Sequence, residues 1–474
     1  MAYPKGILAL VVFFPLLFSA FAPCHALTIK EEEELGRKFM QQVRRMNVVD
    51  DQVICAMVTG VGDRITKNLP QQPFPFRFYV VQQDAYNAFA GPAGYIFINL
   101  GLLEAMENED ELAGILAHEI AHVTCRHISE KVSRNSKIQL ASVAGVLAGI
   151  FLGGGAAANA MVVGSMAAGS SASLAYSRAD EMQADEVSMG YLSAAGYGMR
   201  GTMSMLSKIR KKQWFGPEDV PTYLTTHPAL EDRIAYLDTW ASMHPAMVNP
   251  PKPIDPYPFE KMHARLAALF GDTKETRNFF AQAVAKNPND PVARYGLALT
   301  LARDQDKEKA LAQMEKALEI KPFDPDFLRV MGEMCFDTGR LDRASHALGA
   351  AVAACPEDGE GLLWLGRVRL EQGGFQAAGD LLEKARSLRP EDTEVLYYLS
   401  QAMGKQEKTG WSHYYLGLYN QKKGDMRTAR FHLEKAKAFA KDDKALEEKI
   451  KQAMAEGPMS EKALPQGQGK GPKK

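Results

Sequence analysis

The stretch GILAHEIAHVTCRH, residues 114–127, sets His118 and His122 four apart around Glu119, with His127 five further on. On a helix the i, i+4 pair projects from one face, where two imidazoles can grip one ion without bending the backbone. Glu119 lies about 100° round the helix. It cannot share that ligand position, but it can take a proton from a water beside the ion. The plain alternative is two core or surface histidines with an incidental glutamate. The surroundings weigh against it. Leu112, Ile115, Leu116, Ile120 and Val123 make the helix otherwise apolar, and a buried carboxylate without a partner is costly.

His127 is the obvious third ligand, and helical phase argues against it. Nine residues of helix from His118 amount to about 900°, half a turn out of register, so His127 is expected on the opposite face as a surface or supporting residue. The metzincin pattern would need Gly at 125 and His at 128, where this chain has Cys125 and Ile128. A third ligand must come from elsewhere. SRADEMQADE (177–186) supplies Glu181 and Asp185, again i, i+4 on a predicted helix. Two carboxylates on one face can divide the work, one on the ion and one on the far nitrogen of a ligand histidine. The longer Glu181 is the expected ligand and Asp185 the supporting group, with Asp180 and Glu186 solvated. Two imidazoles and a carboxylate suit zinc rather than magnesium, one ion per chain.

With 474 residues, of which 46% are hydrophobic, the chain is long enough for two or more domains. A formal net charge of −1 gives no reason to expect nucleic acid as a partner. MAYPKGILALVVFFPLLFSAFAPCHA (1–26) has the layout of a secretory signal peptide, with cleavage expected after Ala26 and an uncleaved anchor as the alternative. Removal of Cys24 leaves Cys55, Cys125, Cys335 and Cys355. A Cys55–Cys125 pair stays open. Residues 138–169 are long and uncharged, but GGGAAAN interrupts them. A helical hairpin beside the site is the preferred reading, with peripheral membrane contact through 138–169 kept open.

Residues 28–70 read as two helices, the first with Thr28 as N-cap. RFYVVQQ (77–83) and GYIFIN (94–99) read as neighbouring strands. Between His244 and Pro258 six prolines fall within fourteen positions, a stiff linker and domain boundary. Beyond it, Gly332, Gly339, Ala344, Ala351 and Pro356 recur 34 residues later as Gly366, Gly373, Ala378, Ala385 and Pro390. Two upstream copies hold the same slots more loosely. After Pro390 the phase slips by 17 residues before Gly417, Gly424, Ala429 and Ala436 resume it. The pattern resembles the tetratricopeptide repeat, and the slip implies one unpaired helix at about 393–405. Cys335 and Cys355 then sit near the ends of antiparallel helices, roughly 10 Å apart along the axis at 1.5 Å per residue, too far for a disulfide.

HEIAH (118–122), the Glu181–Asp185 pair after Ser177-Arg178, and NAFA (87–90) before the helix resemble the gluzincin peptidases related to HtpX and the CAAX prenyl endopeptidases. The signal peptide and repeats narrow this to the BepA-type periplasmic proteases. The resemblance implies that His227, followed by Pro228 in TYLTTHPALEDRI (222–234), can take the ion's fourth position and block the water. It also implies that a peptide lies along an edge strand at Asn87, Ala88 and Phe89, though Ala93 stands where Pro-Gly-Gly is more usual.

The expected fold is mainly α: an α+β zincin-like domain with a small sheet, then an all-α repeat solenoid. The expected segments are 1–26 signal peptide, 27–243 peptidase, 244–258 linker, 259–456 repeats and 457–474 disordered tail. The expected activity is a periplasmic zinc endopeptidase, with Glu119 catalytic, His118, His122, Glu181 and His227 on the metal, and Asp185 behind them. By resemblance, it serves outer-membrane protein quality control, its repeats recruiting protein substrates or the assembly machinery, with chaperone-like assistance. The rivals are a repeat adaptor with a residual metal site and a membrane-embedded protease.

Overall fold

In the computed structural model the described residues are 27–43, 47–134, 147, 176–214 and 222–456. Residues 1–26, expected as a signal peptide, the expected tail 457–474 and, apart from Leu147, the 138–169 stretch lie outside them. The fold is helical with one small sheet, and it divides into two compact units, residues 1–49 with 58–253 and residues 50–57 with 254–474.

The first unit opens with α1 (Ile29–Val43), capped by Thr28, whose hydroxyl accepts from the Glu31 amide at 3.3 Å. Helix α2 (Gln52–Thr66) follows, its first turn and a half counted with the second unit. Strands β1 (Arg77–Val81), β2 (Ala88–Ala90) and β3 (Tyr95–Asn99) form a sheet in the order β1-β3-β2, with β1 parallel and β2 antiparallel to the central β3. The register pairs Phe89 with Phe97, and their rings stack at 4.8 Å. Phe39 of α1 meets both rings edge-on. Alternation along a strand sends Ile96 and Ile98 to the other face.

After the short α3 (Leu100–Glu104) comes α4 (Glu109–Thr124), which packs against β2 and β3. Asn108 caps it, accepting from the Glu111 amide at 3.1 Å, and three acidic residues fill its first turn. Every residue from Glu111 to His122 is buried, so the helix needs partners all round. One of them, α7 (Arg200–Trp214), comes close enough that a Cβ on Gly114 would stand 2.5 Å from Thr202 Oγ1. The other elements are α5 (His127–Arg134), α6 (Arg178–Ala195), α8 (Thr222–Thr226) and α9 (Leu230–Met243). Among the described residues no helix is long and apolar enough to cross a membrane, and Cys55, Cys125, Cys335 and Cys355 form no disulfide.

The second unit is a run of antiparallel helices, α10 (Tyr257–Phe270), α11 (Thr273–Lys286), α12 (Pro291–Arg303), α13 (Lys307–Ile320), α14 (Pro325–Asp337), α15 (Leu341–Ala354), α16 (Gly359–Glu371), α17 (Phe375–Leu388), α18 (Thr393–Lys405), α19 (Thr409–Lys422), α20 (Met426–Phe439) and α21 (Lys444–Glu456). The repeated small residues mark contacts. A Cβ on Gly332, Gly366 or Gly417 would lie under 3 Å from Leu348, Leu382 or Leu433 of the next helix, while Ala344, Ala351, Ala378, Ala385, Ala429 and Ala436 are fully buried.

Two further markers share the 34-residue spacing. Asp290, Asp324, Asp358 and Asp392 cap α12, α14, α16 and α18. Gln305, Gly339, Gly373 and Glu407 take left-handed φ of 65°, 73°, 78° and 62° at the turns that follow. Helix α18 therefore begins and ends like the first helix of a repeat. It is not the unpaired helix expected at 393–405: its partner α19 packs on it and again on α20. Sharing α19 between two pairs is what the 17-residue slip records.

Candidate functional site

The site forms where α4 crosses α6. Helix α6 starts at a capping box: the Ser177 hydroxyl accepts from the Asp180 amide, and the Asp180 carboxylate accepts from the Ser177 amide. Asp180, expected to be solvated, is thus a cap, and it also meets Lys131 at 2.9 Å. The cap starts α6 in the phase that turns Glu181 and Asp185 toward α4, and both are buried. His118 Nε2 stands 3.1 Å from His122 Nε2 and 3.3 Å from Glu181, with His122 Nε2 at 3.5 Å from Glu181. His118 Nδ1 sits 2.9 Å from Asp185.

His227 arrives on the loop after α8. The Tyr223 amide donates to the Tyr86 carbonyl at 3.0 Å, the Tyr176 amide donates to the Thr226 carbonyl at 3.2 Å, and the Tyr223 ring stacks on His227 at 4.2 Å. One ligand atom from each of His118, His122, Glu181 and His227 lies within 4.8 Å of the others, and all four residues are buried. Glu119, fully buried, stands beside them with Oε1 3.4 Å from His227 Nε2.

Bonds of about 2.0–2.1 Å to a tetrahedral ion imply donor separations of about 3.3 Å, close to the distances among His118, His122 and Glu181. Both Glu119 oxygens and His227 Nε2 are buried without a hydrogen-bond partner. Such atoms are expensive unless something else satisfies them. The residues fit a metal ion.

Sequence reasoning missed three site residues. Arg233, on α9 and fully buried, donates to both Asp185 oxygens at 2.7 and 2.8 Å and stands 2.7 Å from Glu181. The contact with Glu181 is an ion pair without hydrogen-bond alignment. Tyr176 stacks on His122 at 3.6 Å, and Tyr223 backs His227. The available signal for Arg233 was charge: buried carboxylates on facing helices call for a cation.

The electrostatics follow. Burial would raise the Asp185 pKa, but the Arg233 guanidinium and the His118 contact hold it well below the usual carboxylate range. Glu181 is likewise held low, against its burial, by His227, Arg233 and His118. Burial and Arg233 draw His118 down, and the Asp185 and Glu181 carboxylates outweigh them, lifting it to about 9. Burial and the neighbouring imidazoles hold His122 well below its ordinary value.

His127 departs from the expectation. It is not on an opposite face, because α4 does not continue to it. The helix ends at Thr124, Arg126 takes a left-handed φ of 57°, and α5 begins at His127. This reversal brings His127 Nδ1 to 2.8 Å from His122 Nδ1. Of the expected peptide-binding residues, buried Asn87 precedes the edge strand β2 and buried Ala88 begins it, and the Phe89 ring belongs to the core against Phe39 and Phe97.

A sheet-backed helix bearing HEIAH, closed by a glutamate on a second helix, defines a metallopeptidase-type domain. Residues 56–241 match the model of peptidase family M48, and residues 267–334 and 336–399 match tetratricopeptide repeat models. The chain thus carries a peptidase family M48 domain followed by tetratricopeptide repeats. It is 27% identical over 320 residues to a putative beta-barrel assembly-enhancing protease of Vibrio cholerae, covering 65% of this chain and 64% of that one. The beta-barrel assembly-enhancing protease of Yersinia pestis is 25% identical over 335 residues, 69% of this chain and 66% of the other. The mitochondrial metalloendopeptidase OMA1 of Arabidopsis thaliana is 29% identical over 164 residues, 32% and 29% of the two chains. The chain spans just under two thirds of the length of the bacterial relatives it matches.

Proposed function

We propose that this protein is a zinc-dependent endopeptidase that hydrolyses peptide bonds of misfolded or misassembled envelope proteins. The observation that carries the reading is the buried convergence of His118, His122, Glu181 and His227 beside Glu119. When bound, the ion supplies Lewis acidity at the scissile carbonyl and lowers the pKa of the attacking water. Glu119 takes the water's proton and passes it to the leaving amine. Asp185 fixes the His118 ring through Nδ1 and keeps Nε2 turned inward. His227 would join His118, His122 and Glu181 in holding the ion at rest, and would have to swing away before a substrate enters. A substrate peptide adds to the β2 edge at Asn87, Ala88 and Phe89 through main-chain hydrogen bonds, with Phe89 serving as buttress rather than contact.

The repeats recruit substrates or the outer-membrane assembly machinery, in keeping with the names of the bacterial relatives, and lend chaperone-like assistance. The layout of residues 1–26 supports export to the periplasm.

The test is zinc content measured together with cleavage of an unfolded protein. Bound zinc and chelator-sensitive cleavage are expected. Glu119→Gln should retain zinc and lose cleavage by roughly a hundredfold or more, the range of a lost general base. Full retention of function in cells by that variant would favour the adaptor reading instead.

A further inference from the structure

His118 and His122 are held in place by different kinds of partner. The Nδ1 of His118 meets the Asp185 carboxylate, whereas the Nδ1 of His122 meets the Nδ1 of another histidine, His127, at 2.8 Å. The far nitrogen of His127 lies 3.0 Å from Gln183 Oε1. His127 is 3% exposed, and Tyr176, stacked on His122, meets it edge-on. Arg126, the residue that turns the chain, is tied by its guanidinium to the Leu27 carbonyl at 2.6 Å, Glu32 at 2.7 Å and the Ser129 hydroxyl at 3.1 Å.

The hydrogens of this row can be assigned one by one. Two Nδ1 atoms at 2.8 Å share a single hydrogen. A neutral imidazole that gives Nε2 to an ion carries its hydrogen on Nδ1, so His122 donates. His127 must then accept through Nδ1 and carry its own hydrogen on Nε2, where the Gln183 carbonyl oxygen accepts it. Every donor meets an acceptor.

We propose that His127 is a positioning residue of the metal site, fixing the tautomer and ring angle of His122 through a neutral acceptor where Asp185 serves His118 through a charged one. The inference rests on reading His118, His122, Glu181 and His227 as metal ligands. Because the acceptor is neutral, it orients His122 without adding a negative charge to the chamber. Gln183 is exposed on the outer face of α6, so His127 carries the effect.

The experiment is zinc affinity of the full chain, measured by competition with a chromophoric chelator. His127→Phe keeps an aromatic ring but removes the acceptor, and should weaken zinc binding by about 10- to 100-fold, the range for lost supporting partners of ligand histidines. His127→Gln, whose amide oxygen can accept from His122 Nδ1, should recover most of the loss. Affinity of His127→Phe within twofold of the parent would overturn the proposal. His122→Ala is the control: if it too leaves zinc affinity unchanged, the metal reading itself fails. Nitrogen-15 histidine spectra of the zinc-loaded parent decide the matter even where a variant folds poorly. An Nε2–H tautomer at His127 is expected, and an Nδ1–H tautomer rules the relay out.

Discussion

Arg233 and Asp185 form a bidentate pair, Nε to Oδ2 at 2.7 Å and Nη2 to Oδ1 at 2.8 Å, with both side chains shut away from solvent. The same guanidinium faces Glu181, so one cation serves the two buried carboxylates of α6. Arg233→Met would leave both carboxylates buried without it. The expected loss is about 3–5 kcal/mol of stability, the range for a broken buried pair, together with weaker zinc retention. Arg233→Lys should recover only part, because an ammonium cannot reproduce the planar fork. Chemical denaturation and bound-zinc analysis of both variants check this.

His227 faces the ligand cluster, and its ring is clamped by Tyr223. Replacing it with Ala opens the proposed fourth position. Basal cleavage of a soluble unfolded substrate should rise several-fold, with zinc retained through His118, His122 and Glu181. Unchanged basal cleavage would count against a self-inhibiting role.

Alanine normally stabilises a helix interior relative to glycine. At Gly114 the sign should reverse, because a Cβ would meet Thr202 Oγ1 at 2.5 Å and its backbone nitrogen at 2.7 Å. Forcing α4 and α7 apart should cost about 1–3 kcal/mol. A denaturation midpoint equal to or above the parent's would refute this account of the close approach.

Gln305 and Glu407 are exposed and hold the left-handed turn that Gly339 and Gly373 hold in the neighbouring repeats. A left-handed conformation costs a residue with a Cβ about 1–2 kcal/mol, and glycine's greater freedom when unfolded gives part of that back. Gln305→Gly and Glu407→Gly should each stabilise the repeat unit by roughly 0.5–1 kcal/mol. A thermal melt that follows the repeat unit reads it directly.

The parts of the site legible in the sequence share one trait: their spacing reflects a single helix. His118 with His122, and Glu181 with Asp185, are four apart, and four residues are one face wherever the helix lies. His127 was misread because that logic was carried past Thr124, where the chain turns back. A single left-handed residue, Arg126, has no pattern that announces it. Arg233, Tyr176 and Tyr223 reach the site from other segments, and no local period records such a meeting. Strand β2 spans three residues, too few for alternation to show, and it surfaced only through the resemblance at NAFA. The repeats read well because their glycines and alanines are themselves the interhelical contacts. The phase slip was legible, but it was read as an unpaired helix at 393–405, because spacing alone does not show that α19 packs on both α18 and α20.

The pairing of Arg233 with the α6 carboxylates has a consequence for folding. With an ion bound and the imidazoles therefore neutral, Glu119, Glu181 and Asp185 place three negative charges in the chamber against one positive charge from Arg233, a protein sum of −2. A divalent cation brings that sum to zero. Its binding is therefore thermodynamically linked to the folding of the peptidase unit, which should gain about 1.4 kcal/mol for each tenfold rise in free zinc above the dissociation constant.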